Sequence, residues 1–266
     1  MTAPTITDVS LVSHGHGALV LEAMNSLVRS LPPYLSMRLW LTLNLPEPEL
    51  EQTVLSNVWP FELHIIHNPA PLGFGANHNQ AFAHAHNVGS GQWFVVMNPD
   101  IFWHSEAELF WADLAANAFP AEVGLVCPKQ FDSQGRPEDF ARQLITPWSL
   151  AWRVLRRLLG FTPAGVAASV ESADWVNGAC MVWRTEAFGQ IGGFDEGYFM
   201  YCEDADICLR LQLAGWRMAM ADVAVVHDAR RNTGRSFRHL RWHVRSMLRL
   251  WCSSTFWHYL LRHRMK

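Results

Sequence analysis

Residues 6–43 read ITDVSLVSHGHGALVLEAMNSLVRSLPPYLSMRLWLTL, and in them two apolar segments flank a helical pattern. Ile6–Ser13 and Leu39–Leu43 are short and rich in Val, Leu and Trp, which is typical of strands. Between them, Ala18–Leu31 places Leu or Ala at positions 19, 23, 27 and 31, the spacing of one helix face. This order predicts a β-α-β unit with parallel strands.

The same alternation continues as far as residue 97. The further predicted elements are a helix at Pro46–Leu55, a strand at Phe61–His67, a helix at about Ala76–Val88 and a strand at Trp93–Met97. The pattern predicts an α/β fold whose parallel sheet is covered by helices on both faces. Because its connections are right-handed, the carboxyl ends of the strands share one edge, where ligands bind in such sheets.

The second half of the chain has a less regular pattern, and it contains no internal repeat and no linker between independent domains. The predicted elements there are a helix opened by a capping box at Ser105–Glu108, strands at Val123–Val126, Trp175–Trp183 and Val223–Val226, a turn at Asp132–Arg136, helices at Pro147–Leu159 and about Asp204–Ala214, a loop at Thr162–Ser172, and basic amphipathic helices at Ser236–Arg249 and Thr255–Arg264.

The composition excludes several classes of protein. Half of the 266 residues are hydrophobic and 17% are charged, which excludes a disordered chain. Five cysteines without a C-x-x-C pair argue against a zinc site or a disulfide framework. The opening residues lack a basic and apolar leader, and no run approaches the roughly 18–20 apolar residues of a membrane span. We therefore expect a cytoplasmic protein.

Positive charge is concentrated at the C-terminus. Residues 230–266 contain ten Lys or Arg and no acid, whereas the preceding residues carry 11 basic and 24 acidic side chains. This asymmetry indicates an anionic partner for the tail, and basic helices with interleaved Trp and Phe are typical of membrane surfaces. The alternatives are packing on the acidic body or on a second subunit. Nucleic acid is disfavoured because no recognition motif accompanies the charge.

Two segments follow predicted strands at the ligand edge. Asn98-Pro99-Asp100 comes directly after a strand, and the Asp100 carboxylate there could hold a divalent cation on phosphate oxygens or simply cap a helix. Asn68–Asn79 (NPAPLGFGANHN) places two glycines at a helix start, which suits an anion or a nucleotide. It matches neither G-x-G-x-x-G nor the P-loop, so an ordinary strand-to-helix turn is the alternative.

Carboxylate and aromatic side chains are concentrated in residues 192–206. These residues hold a GGFDE turn, an aromatic stretch, and then Glu203 and Asp204 at a predicted helix start. The helix dipole stabilises acids at this position as anions, and such a carboxylate can accept a proton from a hydroxyl. Glu203 and Asp204 could instead only cap the helix. Four carboxylates among aromatic residues within ten positions favour a polyhydroxylated ligand.

With these motifs, the chain resembles family 2 glycosyltransferases of the GT-A fold, close to bacterial rhamnosyltransferases of surface-polysaccharide assembly. The motifs that carry the resemblance are Ser13-His14, Asn68–Asn79, Asn98-Pro99-Asp100, Asn177-Gly178-Ala179, Gly192–Glu196, Glu203–Arg210 and Val225-Val226-His227. They span about residues 5–230. The resemblance implies a GT-A (Rossmann-like) fold with a mixed, mostly parallel sheet flanked by helices, followed by the C-terminal basic amphipathic helices.

The resemblance also implies roles along the chain. Residues 1–229 would form the GT-A domain, with about 1–100 as the nucleotide-sugar half and 101–229 as the acceptor and catalytic half, and 230–266 would form the basic tail. Asp204 would be the general base and Glu203 its catalytic neighbour, while Asp100 and His227 would hold Mg²⁺ or Mn²⁺. The implied donor-binding residues are Ser13, Asn44, Asn68, Gly73, Phe74, Asn79, Asn98 and Arg210, and the acceptor-binding residues are Trp175, Asn177, Gly178, Asp195 and Glu196.

Two positions depart from the family pattern. Asn44 stands where the family usually has an Asp that contacts the nucleobase or ribose, and it would replace that contact without charge. Asn98-Pro99-Asp100 has one carboxylate where the family's D-x-D element has two. A single carboxylate makes cation binding depend on the diphosphate of the donor.

The implied activity is inverting transfer of L-rhamnose from dTDP-rhamnose to a lipid-linked or polysaccharide acceptor, at the inner face of the cytoplasmic membrane. One base and a neutralised leaving group suffice for inversion, without the covalent intermediate of a retaining glycosidase. One alternative keeps the fold and uses a UDP-hexose or UDP-N-acetylhexosamine donor. Another, of a different class, is a nucleotide-sugar-binding protein without turnover, which the intact Glu203-Asp204 pair disfavours.

Overall fold

The computed structural model describes residues 6–159, 170–228 and 237–264, and an eight-stranded sheet lies at its centre. The strands are, in chain order, β1 (Ile6–Ser13), β2 (Ser36–Leu43), β3 (Glu62–His67), β4 (Trp93–Met97), β5 (Ile101–Trp103), β6 (Val123–Phe131), β7 (Ala141–Arg142), β8 (Trp175–Val176), β9 (Cys180–Arg184) and β10 (Arg217–His227). The central sheet has the order β3-β2-β1-β4-β9-β6-β10-β5, and β7 pairs with β8 separately.

Helices cover both faces of this sheet. They are α1 (Gly17–Ser30), α2 (Pro48–Ser56), α3 (Phe74–Asn87), α4 (Glu108–Ala115), α5 (Pro147–Leu158), α6 (Thr185–Gln190), α7 (Glu203–Leu213), α8 (Phe237–Cys252) and α9 (Ser254–Arg264). Alternate residues of a strand point to opposite faces. In β4, Val95 and Met97 belong to the core formed with α1, α2 and α4, whereas Phe94 and Val96 belong to the core formed with α3, α6 and α7.

Strand direction brings several chain segments to one edge of the sheet. β1 to β4 run parallel, β9 lies antiparallel between β4 and β6, β10 is parallel to β6, and β5 is antiparallel to β10. Met97 at the end of β4 therefore pairs with Cys180 at the start of β9, and His227 at the end of β10 pairs with Ile101 at the start of β5. The predicted α/β fold with a mixed, mostly parallel sheet is confirmed.

Most elements lie where the sequence predicts them. β1 and β4 have the predicted bounds, most other boundaries move by a few residues, and β6 and β10 are longer than predicted. The segment predicted as one strand over Trp175–Trp183 is two strands separated by a turn at Asn177–Ala179. The reason is tertiary, because β8 pairs with β7 while β9 enters the central sheet. The short elements β5, β7 and α6 are missing from the prediction.

Two further predictions differ from the structure or lie partly outside it. The capping box at Ser105–Glu108 is wrong, because a 3₁₀ turn at Ser105–Ala107 precedes α4 and neither has a side-chain cap within the described chain. Of the loop predicted at Thr162–Ser172, residues 162–169 lie outside the described residues, and Val170–Ser172 forms a 3₁₀ turn.

The inner faces of the two C-terminal helices pack on the rest of the protein. Their buried residues are Leu250, Phe256 and Tyr259, which share a core with Leu144, Tyr198, Ala205 and Leu209. The Tyr259 hydroxyl donates to Asp174 Oδ1 at 2.7 Å, and Arg262 Nη1 donates to the Leu213 carbonyl at 2.9 Å. The inner faces of the two tail helices thus follow the alternative in which the tail packs on the acidic body.

The outer face of α8 is both apolar and basic. Its exposed apolar residues are Phe237, Leu240, Val244 and Leu248, and its exposed basic residues include Arg238, Arg241 and Arg245. Among the described residues, none of the helices combines the length and apolar character that crossing a membrane requires.

A buried carboxylate joins three strands at the opposite edge of the sheet. Asp8 of β1 accepts hydrogen bonds from Arg38 Nε at 2.8 Å, from Trp40 Nε1 at 2.9 Å and from the Gly91 amide at 2.7 Å. Arg38 Nη2 adds a second bond to the other carboxylate oxygen at 2.9 Å. Both members of the ion pair are buried, so each would be left as an uncompensated charge without the other.

We expect Asp8→Ala to lower the free energy of unfolding by about 3–5 kcal/mol, because it leaves the Arg38 guanidinium buried without its partner. Urea denaturation measures this change. Asp222→Ala is the matched control, since Asp222 is 98% exposed and pairs with Lys129 on the surface, where such pairs contribute about 0–1 kcal/mol. Equal losses for the two variants would contradict a stabilising role for the Asp8 network.

Candidate active site

Four segments of the chain meet at the ligand edge of the sheet. The Asn98 amide donates to the Ala179 carbonyl at 2.8 Å, and the Gly178 amide donates to Asp204 Oδ2 at 3.3 Å. A β-carbon added at Gly178 would lie 3.1 Å from Phe74 Cζ and 3.6 Å from Asp204 Cβ. The turn after β4, the turn before β9, the glycine-rich loop and the start of α7 therefore form one site.

Asp100 and His227 form one side of this site. His227 Nε2 lies 3.7 Å from Asp100 Oδ2, and its Nδ1 lies 2.6 Å from Glu138 Oε2, which fixes the orientation of the ring. Burial raises the pKa of Asp100, and the nearby His227 opposes this shift. Asp100 Oδ1 is buried and has no hydrogen-bond partner among the described residues. A buried carboxylate oxygen without a partner suits a hard divalent cation.

A cation at Asp100 would need ligands from a bound molecule as well. Within the described residues, no group of three or more His, Cys, Asp or Glu side chains could hold a metal ion. The dependence of cation binding on the donor, which the single carboxylate of Asn98-Pro99-Asp100 implies, stays a prediction.

Glu203 and Asp204 form the other side of the site at the start of α7. Asp204 is partly exposed, and its Oδ1 accepts a hydrogen bond from the Ala205 amide at 2.8 Å. Glu203 is only 6% exposed, and its Oε2 has no partner within the described chain. The buried member of the pair is therefore Glu203, and the member that a ligand can reach is Asp204.

Burial raises the pKa of both carboxyl groups. For Glu203 the charge of Asp204 adds to this effect, so its pKa lies well above the ordinary value. For Asp204 the amides of Ala205 and Gly178 and the Arg142 guanidinium oppose the rise in pKa. Because the two carboxyl groups lie side by side, a charge on one disfavours ionisation of the other. An ionised Asp204 with a raised pKa suits a general base.

The turn that precedes these acids is strained. Tyr201 and Cys202 have φ values of +71° and +65°, which cost a residue with a side chain about 1–3 kcal/mol each. Helix α8 holds the turn, because the Tyr201 hydroxyl lies 2.8 Å from His239 Nδ1 and Ser246 Oγ donates to the Met200 carbonyl at 2.8 Å. The tail thus helps to position Glu203 and Asp204.

A set of asparagines shapes the glycine-rich loop. Asn44 is 4% exposed, and its Oδ1 accepts from Asn68 Nδ2 at 2.8 Å and from the Leu72 amide at 2.8 Å. Asn68 Nδ2 also donates to Asn77 Oδ1 at 2.6 Å. Asn44 and Asn68 therefore hold the loop that leads to Gly73, and contact with a nucleotide through either one stays a prediction.

The predicted donor residues Ser13, Gly73 and Phe74 lie at the same edge. Ser13 is buried at the end of β1, and its hydroxyl accepts from the His16 amide at 3.3 Å. The Phe74 amide donates to the Phe199 carbonyl at 3.0 Å, and a β-carbon at Gly73 would lie 2.6 Å from the same oxygen. Glycine is needed at position 73 because the two loops approach so closely.

A fully buried histidine supports Phe74. His78 Nδ1 lies 2.8 Å from Ser10 Oγ, and its ring meets the Phe74 ring edge-on with centroids 4.6 Å apart. Burial lowers the pKa of His78 to about 3, so the ring is neutral at physiological pH. The sequence analysis missed this residue, although His78 lies within the NPAPLGFGANHN motif that it singled out.

The predicted acceptor residues divide into two groups. Trp175, Asn177 and Gly178 lie beside the base, and Asn177 exchanges amide hydrogen bonds with Gln130 at 2.9 and 3.0 Å. Asp195 and Glu196 instead hold the GGFDE turn in place. Asp195 Oδ2 lies 2.8 Å from Arg249 Nη2 of α8, and Glu196 Oε1 accepts from Asn79 Nδ2 of α3 at 3.0 Å.

Two predicted donor residues are not brought to the donor side. Asn79 bonds both Phe194 backbone groups, at 2.9 Å each, and the Glu196 carboxylate. Arg210 donates to Asp206 Oδ2 at 2.7 Å and to the Ile191 carbonyl at 2.6 Å, beside a cavity of about 730 Å³ under the α8–α9 junction. The spacing on α7 explains this, because positions 204 and 210 lie on different faces of the helix.

Comparison with known families identifies the chain. Residues 60–252 match the family described as Glycosyltransferase like family 2, and this range includes all four segments of the site. The chain belongs to this family. The resemblance inferred from the motifs is thereby confirmed.

Two relatives of this glycosyltransferase-family protein have related names. The chain is 32% identical over 203 residues to the N-acetylglucosaminyl-diphospho-decaprenol L-rhamnosyltransferase of Mycobacterium tuberculosis, covering 66% of this chain and 62% of that protein. It is 29% identical over 186 residues to the rhamnosyltransferase WbbL of Escherichia coli K12, covering 66% of this chain and 69% of that protein. The chain thus spans about three fifths of the length of the mycobacterial relative.

A solved structure shows the same fold. The mannosyltransferase PcManGT from Pyrobaculum calidifontis, in complex with GDP-Man and Mn²⁺, superposes with a TM-score of 0.59 and 16% sequence identity. The superposition covers 93% of this chain and 65% of that protein. At this identity the likeness establishes the GT-A architecture and nothing finer.

Two further residues of the site were not predicted from the sequence of this family member. Glu138 orients His227, and Arg142 lies close enough to Asp204 to lower its pKa. Both lie in the irregular stretch after β6, which has no periodic pattern. The available signal was their position, since β6 ends at the ligand edge and charged residues beyond such a strand are candidates for binding.

The raised pKa of Glu203 predicts how stability depends on pH. The folded state keeps a proton that the unfolded chain releases above the ordinary carboxyl pKa, so the free energy of unfolding falls as the pH rises above that ordinary value. Because glutamine does not titrate, we expect Glu203→Gln to reduce the fall in the free energy of unfolding by up to about 1.4 kcal/mol per pH unit. Urea denaturation at several pH values measures the slope. The exposed control Glu108→Gln should keep the wild-type slope, and an unchanged slope for Glu203→Gln would contradict the assignment.

Proposed function

We propose that the chain is an inverting glycosyltransferase that moves L-rhamnose from dTDP-L-rhamnose to a lipid-linked acceptor. The observation that carries the proposal is the partly exposed Asp204 carboxylate, held by the Gly178 amide in the site that also contains Asp100. This arrangement provides a base for the acceptor and a carboxylate for the leaving diphosphate. The family and the names of the two relatives support the reading.

The chain's own residues would perform the transfer in one step. Asp204 accepts the proton of the acceptor hydroxyl while that oxygen forms a bond to the anomeric carbon of the donor sugar. The bond from this carbon to the diphosphate breaks, the nucleoside diphosphate leaves, and the configuration inverts. Burial and the charge of Asp204 both raise the pKa of Glu203, so ionisation of Asp204 disfavours a second charge beside it.

Asp100 and His227 would hold Mg²⁺ or Mn²⁺ together with the diphosphate oxygens. The unpartnered Asp100 Oδ1 fits this role, and Glu138 fixes the His227 ring behind it. When bound, the cation supplies neutralisation of the charge that develops on the leaving diphosphate. The mannosyltransferase PcManGT was solved with Mn²⁺, which supports a divalent cation here.

The identity of the donor sugar is inferred from the relatives, because no residue of the described site selects against a 6-hydroxyl. Both relatives are named rhamnosyltransferases, which favours L-rhamnose over the hexose and N-acetylhexosamine of the UDP-sugar alternative. A binding protein without turnover is the alternative of another class. The intact Glu203-Asp204 pair, whose Asp204 carboxylate a ligand can reach, favours catalysis over binding alone.

We expect Asp204→Asn to reduce turnover about 10²- to 10⁴-fold, because an amide cannot accept the acceptor's proton. Donor binding, measured by isothermal titration with dTDP, should change little. The measurement is transfer from dTDP-L-rhamnose to a sugar-diphosphate lipid, with UDP-hexose and UDP-N-acetylhexosamine donors in parallel. Asp222→Asn on the exposed surface is the matched control and should retain wild-type turnover.

The outcomes separate the alternatives. Wild-type turnover by the Asp204→Asn variant would refute the assignment of Asp204 as the general base. Transfer only from a UDP-sugar would replace rhamnose while keeping the mechanism. Donor binding with neither transfer nor donor hydrolysis would support the non-catalytic reading and overturn the proposed function.

We also propose that the outer face of α8 contacts an anionic membrane surface. Apolar residues of that face can enter the headgroup region, while the flanking arginines attract anionic lipids at about 1 kcal/mol each. Its exposed residues of both kinds are Phe237, Leu240, Val244, Leu248, Arg238, Arg241 and Arg245. This surface would keep the protein peripheral and bring the site to a lipid-linked acceptor.

Helix α5 extends the same surface. Its exposed apolar residues are Trp148, Trp152, Leu155 and Leu158. The Trp148 ring lies 6.2 Å from the Trp257 ring of α9, so α5 lies beside the second tail helix. The sequence analysis assigned membrane contact to the tail alone.

We expect the full chain to sediment with vesicles that contain anionic phospholipid at low salt, and to remain in the supernatant at high salt or with neutral vesicles. Arg241→Gln combined with Arg245→Gln should weaken vesicle binding about 30-fold, at about 1 kcal/mol for each arginine. Arg136→Gln combined with Arg217→Gln is the matched control, because both arginines are exposed and lie outside the tail. Substitutions are preferable to truncation, since Phe256 and Tyr259 are buried in the body.

Equal binding by the two double variants would contradict the assignment of this face. Failure of the wild-type chain to bind either kind of vesicle would make the face a contact between subunits or with another protein. Size-exclusion chromatography would then identify a homo-oligomer.

A further inference from the structure

We propose that Arg142, stacked on Trp175, binds the anionic diphosphate that joins the acceptor sugar to its lipid. This inference rests on the proposed function and assigns a residue of this chain to the diphosphate of a sugar-diphosphate lipid acceptor. Trp175 was predicted on the acceptor side from the motifs, whereas Arg142 was not.

Strand pairing places Arg142 beside the base. Arg142 of β7 lies opposite Trp175 of β8, and its guanidinium carbon is 5.3 Å from the centre of the indole ring. Two residues beyond Trp175 the chain reaches Asn177, whose amide donates to the Phe140 carbonyl at 2.8 Å. The next amide, that of Gly178, holds Asp204. The short β7–β8 ladder therefore links the backbone at Arg142 to the turn whose Gly178 amide holds Asp204.

The guanidinium retains capacity to bind a ligand. Its Nε donates to the Asp139 carbonyl at 3.0 Å and lies 3.5 Å from Asp139 Oδ2, while the two Nη groups make no hydrogen bond to any residue that the structure describes. The side chain is 42% exposed. Asp139 is itself half exposed, so its pairing with Arg142 is a surface ion pair that a doubly charged ligand can displace. Arginine's planar fork of donors matches phosphate oxygens.

Other arginines near the site are already held by carboxylates. Arg249 Nη2 lies 2.8 Å from Asp195 Oδ2, and Arg210 Nε lies 2.7 Å from Asp206 Oδ2. Both pairs anchor structure around α7 and α8. Arg142 differs because its two Nη groups make no hydrogen bond to a described residue and its guanidinium lies over the Trp175 ring, which restrains the side chain.

The position of Arg142 relative to the apolar surface gives the direction of the acceptor. Beyond Arg142 the chain passes Ile145, whose carbonyl accepts from Trp251 Nε1 at 2.8 Å, and enters α5 at Pro147. α5 carries the exposed Trp and Leu residues of the proposed membrane surface. Arg142 thus closely precedes α5 in the chain, and we expect the lipid of an acceptor whose diphosphate binds Arg142 to extend towards that helix.

The electrostatics agree with this placement. Arg142 is one of the groups that lower the pKa of Asp204, so its charge lies within range of the reacting end of the acceptor. A purely structural arginine in the same place would influence the base equally for every acceptor. The two roles are therefore separable by comparing acceptors with and without phosphate.

The test compares wild-type protein, Arg142→Gln and the control Arg136→Gln, an exposed arginine of the preceding turn that pairs with Asp132. Two acceptors carry the same N-acetylglucosamine and the same short alkyl chain, one through a diphosphate and one through a neutral glycosidic bond. We expect Arg142→Gln to raise KM for the diphosphate acceptor about 10- to 100-fold, the usual effect of losing hydrogen bonds to a charged group. KM for the neutral acceptor and for dTDP-L-rhamnose should stay within about twofold of wild type.

The outcomes distinguish this inference from the proposed function. If Arg142→Gln affects both acceptors equally, or shifts only the pH profile of kcat, Arg142 acts through Asp204 and the diphosphate subsite is refuted. If wild-type protein transfers sugar to neither acceptor, the proposed function fails. Titration with the alkyl diphosphate alone then decides the subsite by itself: weaker binding to Arg142→Gln than to Arg136→Gln supports it, and equal binding overturns it.

Discussion

The backbone of the Asn177–Ala179 turn holds the candidate site together. One amide of this turn fixes the Asp204 carboxylate, one carbonyl accepts from Asn98 in the turn that presents Asp100, and the Asn177 amide bonds Phe140 beside β7. The turn exists because β8 and β9 join different sheets, so the chain must change direction between them. A β-carbon at Gly178 would lie 3.1 Å from the Phe74 ring, so a side chain there would have to displace that ring slightly. Both sides of the site are therefore positioned by backbone groups, which substitutions of surface side chains leave in place.

The fold could be predicted from the sequence where apolar residues recur with the period of a helix or a strand. β1 to β4 and their helices alternate regularly, and their pattern was sufficient. β5 and β7 are three and two residues long, too short for a period, and their pairing comes from tertiary contacts. In the site, Asp100 and His227 could be predicted because motifs at strand ends converge on one edge. The motif could not give the direction of a side chain, so Asn79 and Arg210 have structural partners instead. Arg142 and Glu138 lie in an irregular segment, where only the fold brings them to the site.

Helix α8 of the tail supports the candidate site on one face and is exposed on the other. Arg249 forms two short hydrogen bonds to the Asp195 carboxylate and lies over the Tyr198 ring, with its guanidinium carbon 5.1 Å from the ring centre. These contacts hold the GGFDE turn and the strained residues 201 and 202 against α8. One face of the helix thus orders the segment that delivers Glu203 and Asp204, while the opposite face remains exposed. The family match, which ends at residue 252, includes the whole of α8 and not α9.

The strand order has a consequence for the nascent chain. β1 to β4 can pair with one another as soon as they are synthesised, but β6 lies two positions from β4 and contacts the sheet only through β9 and β10. Between the synthesis of β6 and that of β9, about fifty residues must emerge, which takes roughly 3–10 s at about 5–20 residues per second. During this interval one edge of β4 and both edges of β6 lack their partners, and exposed apolar edges of this kind favour association between chains. The interval between these two strands is therefore the period in which a growing chain depends most on chaperones.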